Sequence, residues 1–159
     1  MLSVMSESAA AIDDPATAHE DSDVAEAVYA LMTELVRQMP RDMSLTSVAT
    51  LATLNRTGPR RITDLAVSEG VAQPSMTALV STLERSGHVR RGSDPNDRRA
   101  SLVTLTDRGR EYVLHRRATG ADSVASVLDD LSPSEREALA SAVPAMRRLR
   151  DLKAQQRET

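Results

Sequence analysis

Apolar residues recur every three or four positions along most of this chain, which is the spacing of an amphipathic helix. The first run starts at Val24 and stops before Pro40, and the last starts at a capping box formed by Ser132 and Glu135. Gly and Pro separate the runs between them. The pattern predicts helices over residues 24–39, 44–55, 63–68, 73–86, 106–131 and 132–155.

One segment departs from the helical spacing. Between His88 and Leu105 the apolar positions alternate with polar ones, and Asp94-Pro95-Asn96-Asp97 interrupts them. This pattern predicts a β-hairpin with a charged tip. The predicted fold is therefore mainly α with a small β-hairpin wing. Its order of helix, short turn, helix and hairpin is that of a winged helix-turn-helix, whose second helix enters the DNA major groove.

Charge is distributed unevenly along the chain. Residues 1–55 carry a net charge of -7, residues 56–117 carry +5 from twelve Arg and seven acidic residues, and residues 118–159 carry -1. A basic block in the middle of an acidic chain is typical of a local nucleic-acid footprint, which the whole-chain net charge of -3 conceals. Double-stranded DNA is therefore the predicted partner.

Composition argues against several other classes of protein. The chain has no Cys, no apolar run as long as a membrane span and no secretory signal pattern, so we expect a cytoplasmic protein without a membrane partner. It has no phosphate-binding loop, no nucleophile elbow and no metalloprotease motif. We therefore predict that it is not an enzyme and that it has no cofactor and no metal site.

The motifs of the basic block resemble those of a known family. Pro74-Ser75-Met76-Thr77, Leu83-Glu84-Arg85-Ser86-Gly87, Asp97-Arg98-Arg99 and Leu105-Thr106-Asp107-Arg108-Gly109 are similar to motifs of the MarR family of bacterial transcriptional regulators. The resemblance covers about residues 24–152. It implies a homodimer that binds a pseudo-palindromic operator, commonly as a repressor, and releases it when a small aromatic or phenolic effector binds.

Together the pattern and the resemblance divide the chain into four parts. Residues 1–21 are small, polar and acidic and predict a disordered tail. The remaining parts are an N-terminal dimerisation helix at 22–43, a winged helix-turn-helix lobe at 44–106 and C-terminal dimerisation helices at 107–155.

The DNA-binding residues fall into three predicted groups. In the recognition helix, residues 73–83 carry no charge, so base reading would fall to polar side chains there and phosphate binding to the flanking Arg. By the resemblance, Asp97 braces the wing through Arg99, which reaches the minor groove. The alternatives are a solvated helix face and a hairpin turn closed by Asp97 and Arg99. The predicted residues are Gln73, Pro74, Ser75, Thr77 and Ser81 in the helix, Arg60, Arg61 and Arg85 beside it, and Asp97, Arg98 and Arg99 in the wing.

An effector is predicted to bind where the long helix leaves the wing, among Met43, Leu51, Tyr112 and Arg116. Arg116 would pair with a carboxylate or phenolate, and the alternative is a solvated Arg. For the whole chain, the alternative function is a winged-helix dimerisation module that binds protein rather than DNA.

Overall fold

The computed structural model describes residues 15–94 and 97–156, together with their side chains except those of residues 15–18 and 97–100. It divides into two compact units, Met1–Met39 and Pro40–Thr159. The first unit contains helix α1, Pro15–Gln38. The predicted disordered tail is wrong for residues 15–21, because Pro15 suits a first helical turn and the helix formers Ala16, Ala18 and Glu20 follow it. Residues 1–14 of that prediction lie outside the described residues.

The second unit confirms the predicted fold class, mainly α with a small antiparallel sheet. Helices α2, α3 and α4 and the strands come first, and two long helices close the chain. The elements are α2 (Leu45–Thr57), β1 (Arg60–Arg61), α3 (Ile62–Glu69), α4 (Gln73–Arg85), β2 (Val89–Asp94), β3 (Asp97–Leu105), α5 (Asp107–Leu128) and α6 (Pro133–Gln155).

The sheet has one strand more than the predicted hairpin. Its order is β1-β3-β2, with β3 in the centre and antiparallel to both neighbours. Val89 pairs with Leu105 at the base of the wing, and Arg60 pairs with Val103. Strand β1 therefore fixes the wing to the segment that joins α2 to α3.

A single apolar core holds α2 to α4, the sheet and the start of α5 together as one winged lobe, residues 44–113. Half-buried Met43, Tyr112 and Val113 pack against this core. Three core residues, Met76, Val80 and Leu83, come from α4, so the opposite face of that helix is left to solvent. The core residues are Leu51, Leu54, Leu65, Ala66, Met76, Val80, Leu83, Val89, Val103 and Leu105.

Local side-chain caps set the helix starts that the sequence predicts. The hydroxyls of Ser44 and Thr106 accept hydrogen bonds from backbone N–H groups in the first turns of α2 and α5. Ser132 and Glu135 form the predicted capping box of α6. Gly70 ends α3 in the left-handed conformation, with φ +65°, and so makes the tight turn into α4 possible.

The terminal helices differ from the lobe in burial. None of the residues of α6, all of which the structure describes, is buried. The same is true of α1 between residues 19 and 38. Neither these helices nor the other described ones have the length and apolar character of a membrane span.

Candidate nucleic-acid interface

Helix α4 presents a polar face whose position is fixed by the core beneath it. Gln73, Pro74, Ser75 and Thr77 are exposed, and Ser81 is partly exposed, while the intervening Met76 is fully buried. All five predicted base-reading residues therefore lie on the accessible side of one well-anchored helix. We refer to Gln73, Thr77 and Ser81, which are spaced one turn apart, as the α4 stripe.

The hydroxyl groups of the stripe are already engaged with the helix itself. Thr77 Oγ1 donates to the carbonyl of Gln73 at 2.9 Å, and Ser81 Oγ donates to the carbonyl of Thr77 at 2.9 Å. A hydroxyl has one proton to donate and two lone pairs. In this arrangement Thr77 and Ser81 therefore offer acceptors rather than donors to a partner.

An arginine outside the predicted set of DNA-binding residues reaches this stripe from the wing. Arg91 in β2 donates from Nη2 to Ser81 Oγ at 2.7 Å, and Glu84 lies 3.5 Å from its Nε. No sequence signal identified Arg91, because it is one of twelve Arg in the basic block. The contact depends on the packing of β2 beside α4.

The three arginines predicted to bind phosphates lie on two different elements, β1 and the end of α4. Arg60 and Arg61 form β1, and Arg61 donates through Nε and Nη2 to Asp94 Oδ2 at 3.1 and 2.7 Å. Asp94 is only 6% exposed, so this ion pair fastens the far end of β2 to β1. Arg85 is exposed at the end of α4, where it donates to Thr82.

The predicted wing residues lie at the start of β3. The backbone of Asp97, Arg98 and Arg99 belongs to that strand, and Asp94 pairs with Asp97 across the tip. Their side chains lie outside the described residues, so bracing of Arg99 by Asp97 stays a prediction.

At the predicted effector site, the structure brings Tyr112 and Arg116 together with Asp42. Tyr112 Oη donates to Asp42 Oδ2 at 3.0 Å, and Arg116 Nη1 donates to Asp42 Oδ1 at 3.0 Å. Arg116 also donates to the Pro40 carbonyl at 3.1 Å. The hydrogen bond from Tyr112 is the main cause that lowers the pKa of Asp42, and burial, followed by the bond to Asp42, raises the pKa of Tyr112. We refer to Asp42, Tyr112 and Arg116 as the junction cluster.

The other two predicted effector residues lie in or against the core. Met43 is half-buried against the core, whereas Leu51 is completely buried inside it. An effector would contact Leu51 only if the core opened. His88 packs edge-to-face on Tyr112, with ring centroids 5.3 Å apart, and its Nδ1 is 2.8 Å from Ser86 Oγ. Burial, assisted by the charge of Arg108, lowers the pKa of His88. Among the described residues, no three His, Cys, Asp or Glu are arranged to hold a metal ion.

Comparison with known proteins agrees with this geometry. The model of the MarR family matches residues 43–101, which span most of the winged lobe. An HTH-type transcriptional regulator of Mycobacterium bovis is 35% identical over 131 residues, which are 82% of this chain and 92% of the relative.

Solved structures share the fold. A transcriptional regulator of Thermotoga maritima matches with a TM-score of 0.71 at 22% identity, covering 85% of this chain and 96% of that protein. BpsR of Bordetella bronchiseptica, whose DNA binding is regulated by 6-hydroxynicotinic acid, matches with a TM-score of 0.52 at 23% identity, covering 79% of this chain and 91% of BpsR. The chain belongs to the MarR family of winged-helix, DNA-binding transcriptional regulators.

Proposed function

We propose that this regulator is a ligand-responsive repressor that binds a pseudo-palindromic operator as a homodimer. The observation that carries the proposal is the exposed polar face of α4, which the core holds in place through Met76, Val80 and Leu83. A helix used for base reading needs such a rigid foundation, because hydrogen bonds to base edges depend on position to within a fraction of an ångström.

Exposed apolar side chains on the terminal helices support the homodimer. Tyr29 is 66% exposed on α1, and Leu149 is 50% exposed on α6. Large apolar side chains that lie exposed next to one another are usually covered by a partner surface. A second copy of the chain supplies such a surface by symmetry. The exposed members are Val24, Val28, Tyr29, Leu31, Met32 and Val36 on α1, and Leu139, Val143, Met146, Leu149 and Leu152 on α6.

The symmetry of a dimer sets the form of the operator. Two copies of α4 related by a two-fold axis read two inverted half-sites whose centres lie about 10 base pairs apart. Within each half-site, Gln73 at the N-terminus of α4 is suited to read adenine, since its side-chain amide offers both a donor and an acceptor. We expect Gln73→Ala to relax base preference at one position per half-site rather than to weaken all DNA binding equally.

Binding of an aromatic acid at the junction cluster would supply the regulation. Asp42 accepts a hydrogen bond from Nη1 of Arg116. Nε of Arg116 is buried and has no hydrogen-bond partner among the described residues. A carboxylate that displaces Asp42 could accept the hydrogen bonds that Asp42 now accepts from Nη1 of Arg116 and from Oη of Tyr112. Regulation of BpsR by 6-hydroxynicotinic acid, a hydroxylated aromatic acid, supports this class of effector. Release of DNA requires that the effector bind the DNA-free conformation more tightly than the bound one.

A salt series of gel shifts on the DNA upstream of the gene tests DNA binding. We expect a retarded band whose affinity falls about 10³-fold between 50 mM and 200 mM salt, as is typical of a dimer with about six phosphate contacts. Absence of any shift at low salt would contradict the proposal. It would favour the second candidate, a winged-helix module that binds protein, which the uncharged α4 stripe supports.

A panel of aromatic acids at millimolar concentration tests the effector. We expect salicylate or a related hydroxylated acid to raise the melting temperature and lower operator affinity, because it stabilises the DNA-free form. Arg116→Ala should blunt this response while operator affinity without effector is unchanged. A panel that alters neither quantity would contradict this effector class.

A further inference from the structure

Helix α4 offers few hydrogen-bond donors with which to read a guanine. In the major groove guanine exposes N7 and O6, both acceptors, and is most often read by an arginine. Residues 73–83 have no charged side chain. The hydroxyl protons of Thr77 and Ser81 are committed to backbone carbonyls. To read a guanine beside Thr77 and Ser81, the protein therefore needs a hydrogen-bond donor from another element.

Arg91 brings a guanidinium to that half of the stripe. Its Nη2 donates to Ser81 Oγ at 2.7 Å and lies 3.5 Å from the Thr77 carbonyl, so the group lies on the same face as both side chains. About a third of the side chain, 32%, stays exposed. A guanidinium has five N–H donors in a planar fork, and these contacts leave the second terminal nitrogen open.

Glu84 orients this arginine. Its Oε1 accepts a hydrogen bond from the Arg91 backbone N–H at 3.2 Å, and its Oε2 lies 3.5 Å from Arg91 Nε. The carboxylate holds the guanidinium over the helix and reduces its net attraction for phosphates at the same time. An oriented but partly neutralised arginine suits a directional contact to a base edge better than a general contact to the DNA backbone.

We propose that Arg91 is a specificity-determining residue that reads a guanine through O6 and N7 beside Ser81. This inference rests on the proposed DNA-binding function. Ser81 is eight residues from Gln73, which is about 12 Å along a helix axis, so Arg91 and Gln73 read different base pairs. A wing strand thereby completes the chemistry of the recognition helix.

Selection from a pool of random-sequence duplexes, followed by sequencing, tests the inference. The proteins compared are the wild type, Arg91→Ala, Arg91→Lys and the matched control Arg90→Ala. Arg90 is the exposed neighbour in β2, and its side chain projects to the opposite side of the strand, so the control removes the same charge at another place. Arg91→Lys keeps the charge but loses the fork. Thermal melting confirms that each variant is folded.

We expect the wild type to enrich an inverted repeat with one guanine per half-site that both Arg91 variants no longer select, while the other positions persist. Affinity for the selected duplex should fall roughly tenfold or more in both variants, with less change on a shuffled duplex. Arg90→Ala should keep the wild-type motif.

Two results would overturn the inference and leave the proposed function intact. One is an unchanged motif in Arg91→Ala, and the other is an equal loss on selected and shuffled DNA, which indicates a phosphate contact. A wild type that enriches no motif would instead overturn the proposed function, and the inference with it.

Discussion

The winged lobe buries its apolar side chains, whereas the terminal helices leave theirs exposed. In the lobe, Leu51, Leu65 and Met76 are completely buried within one chain. On α6, Leu149 is 50% exposed and no residue is buried, although the helix carries an apolar stripe and a full capping box. The lobe therefore has its own core, whereas the terminal helices expose their large apolar side chains. In the proposed function, DNA reading by α4 and assembly through the terminal helices therefore fall to different parts of the protein.

The largest effect is expected from charges in the proposed assembly surface. Val143→Asp combined with Met146→Asp should abolish the dimer, because two carboxylates would have to be buried without partners. Operator affinity should then fall about 100-fold or more, since each half-site is bound without the gain from linkage. Sedimentation and gel shifts measure both. The control is Ser134→Asp with Ser141→Asp, two exposed positions of α6 that have no member of the apolar surface one turn away, and this variant should remain dimeric. A dimeric double variant at Val143 and Met146 would assign assembly to another surface.

A second, smaller effect concerns the junction between the wing and α5. A Cβ atom at Gly109 would collide with the carbonyl oxygen of His88, whereas a Cβ at Gly120 in the same helix meets nothing within 4 Å. We expect Gly109→Ala to lower the free energy of unfolding by roughly 1–3 kcal/mol. Gly120→Ala should raise it by about 0.5–1 kcal/mol through helix propensity. Urea unfolding at one fixed protein concentration measures both, and equal midpoints for the two variants would show that the wing base tolerates the added methyl group.

The wing residues should contribute to the free energy of DNA binding by an amount similar to the loss of stability expected for Gly109→Ala. We expect Arg99→Ala to weaken operator binding by roughly 1–3 kcal/mol if its side chain enters the minor groove, and Asp97→Ala to weaken it less. Fluorescence anisotropy with a labelled operator gives both values. Unchanged affinity in Arg99→Ala would favour the alternative in which these residues close a solvated turn.

The smallest expected effect is a pH dependence of the lobe. Burial lowers the pKa of His88 below its unfolded value of about 6.5, so the unfolded chain binds a proton that the folded lobe resists. Stability from this group is therefore present above about pH 6.5 and is lost as the pH falls toward 5. The unfolding midpoint of the wild type should fall more steeply over this range than that of His88→Gln. Parallel pH profiles would contradict this role of His88.

Sequence patterning predicted the parts of the fold that depend on local chemistry. Ser44, Thr106 and the Ser132 capping box mark helix starts because a cap is made within one turn of the chain. Strand β1 was missed because Arg60 and Arg61 are too short a run to show a period, and they form a strand only by pairing with β3.

The candidate site was less predictable, because it depends on contacts distant in the sequence. The pattern identified the exposed face of α4 from its spacing around Met76. It did not identify Arg91, which meets Ser81 across ten residues, or Asp42, which meets Arg116 across 74. A charged residue acquires its role from the partner that folding brings to it, and spacing along one element carries no information about that partner.

We propose that two chains, joined by their terminal helices, place two winged lobes on one operator. Native mass spectrometry of the protein with a duplex of about 30 base pairs, long enough for two half-sites one helical turn apart, tests it most directly. We expect a complex of two chains and one duplex for the wild type, and no such complex for Val143→Asp with Met146→Asp. A stable complex of one chain with one duplex would contradict it.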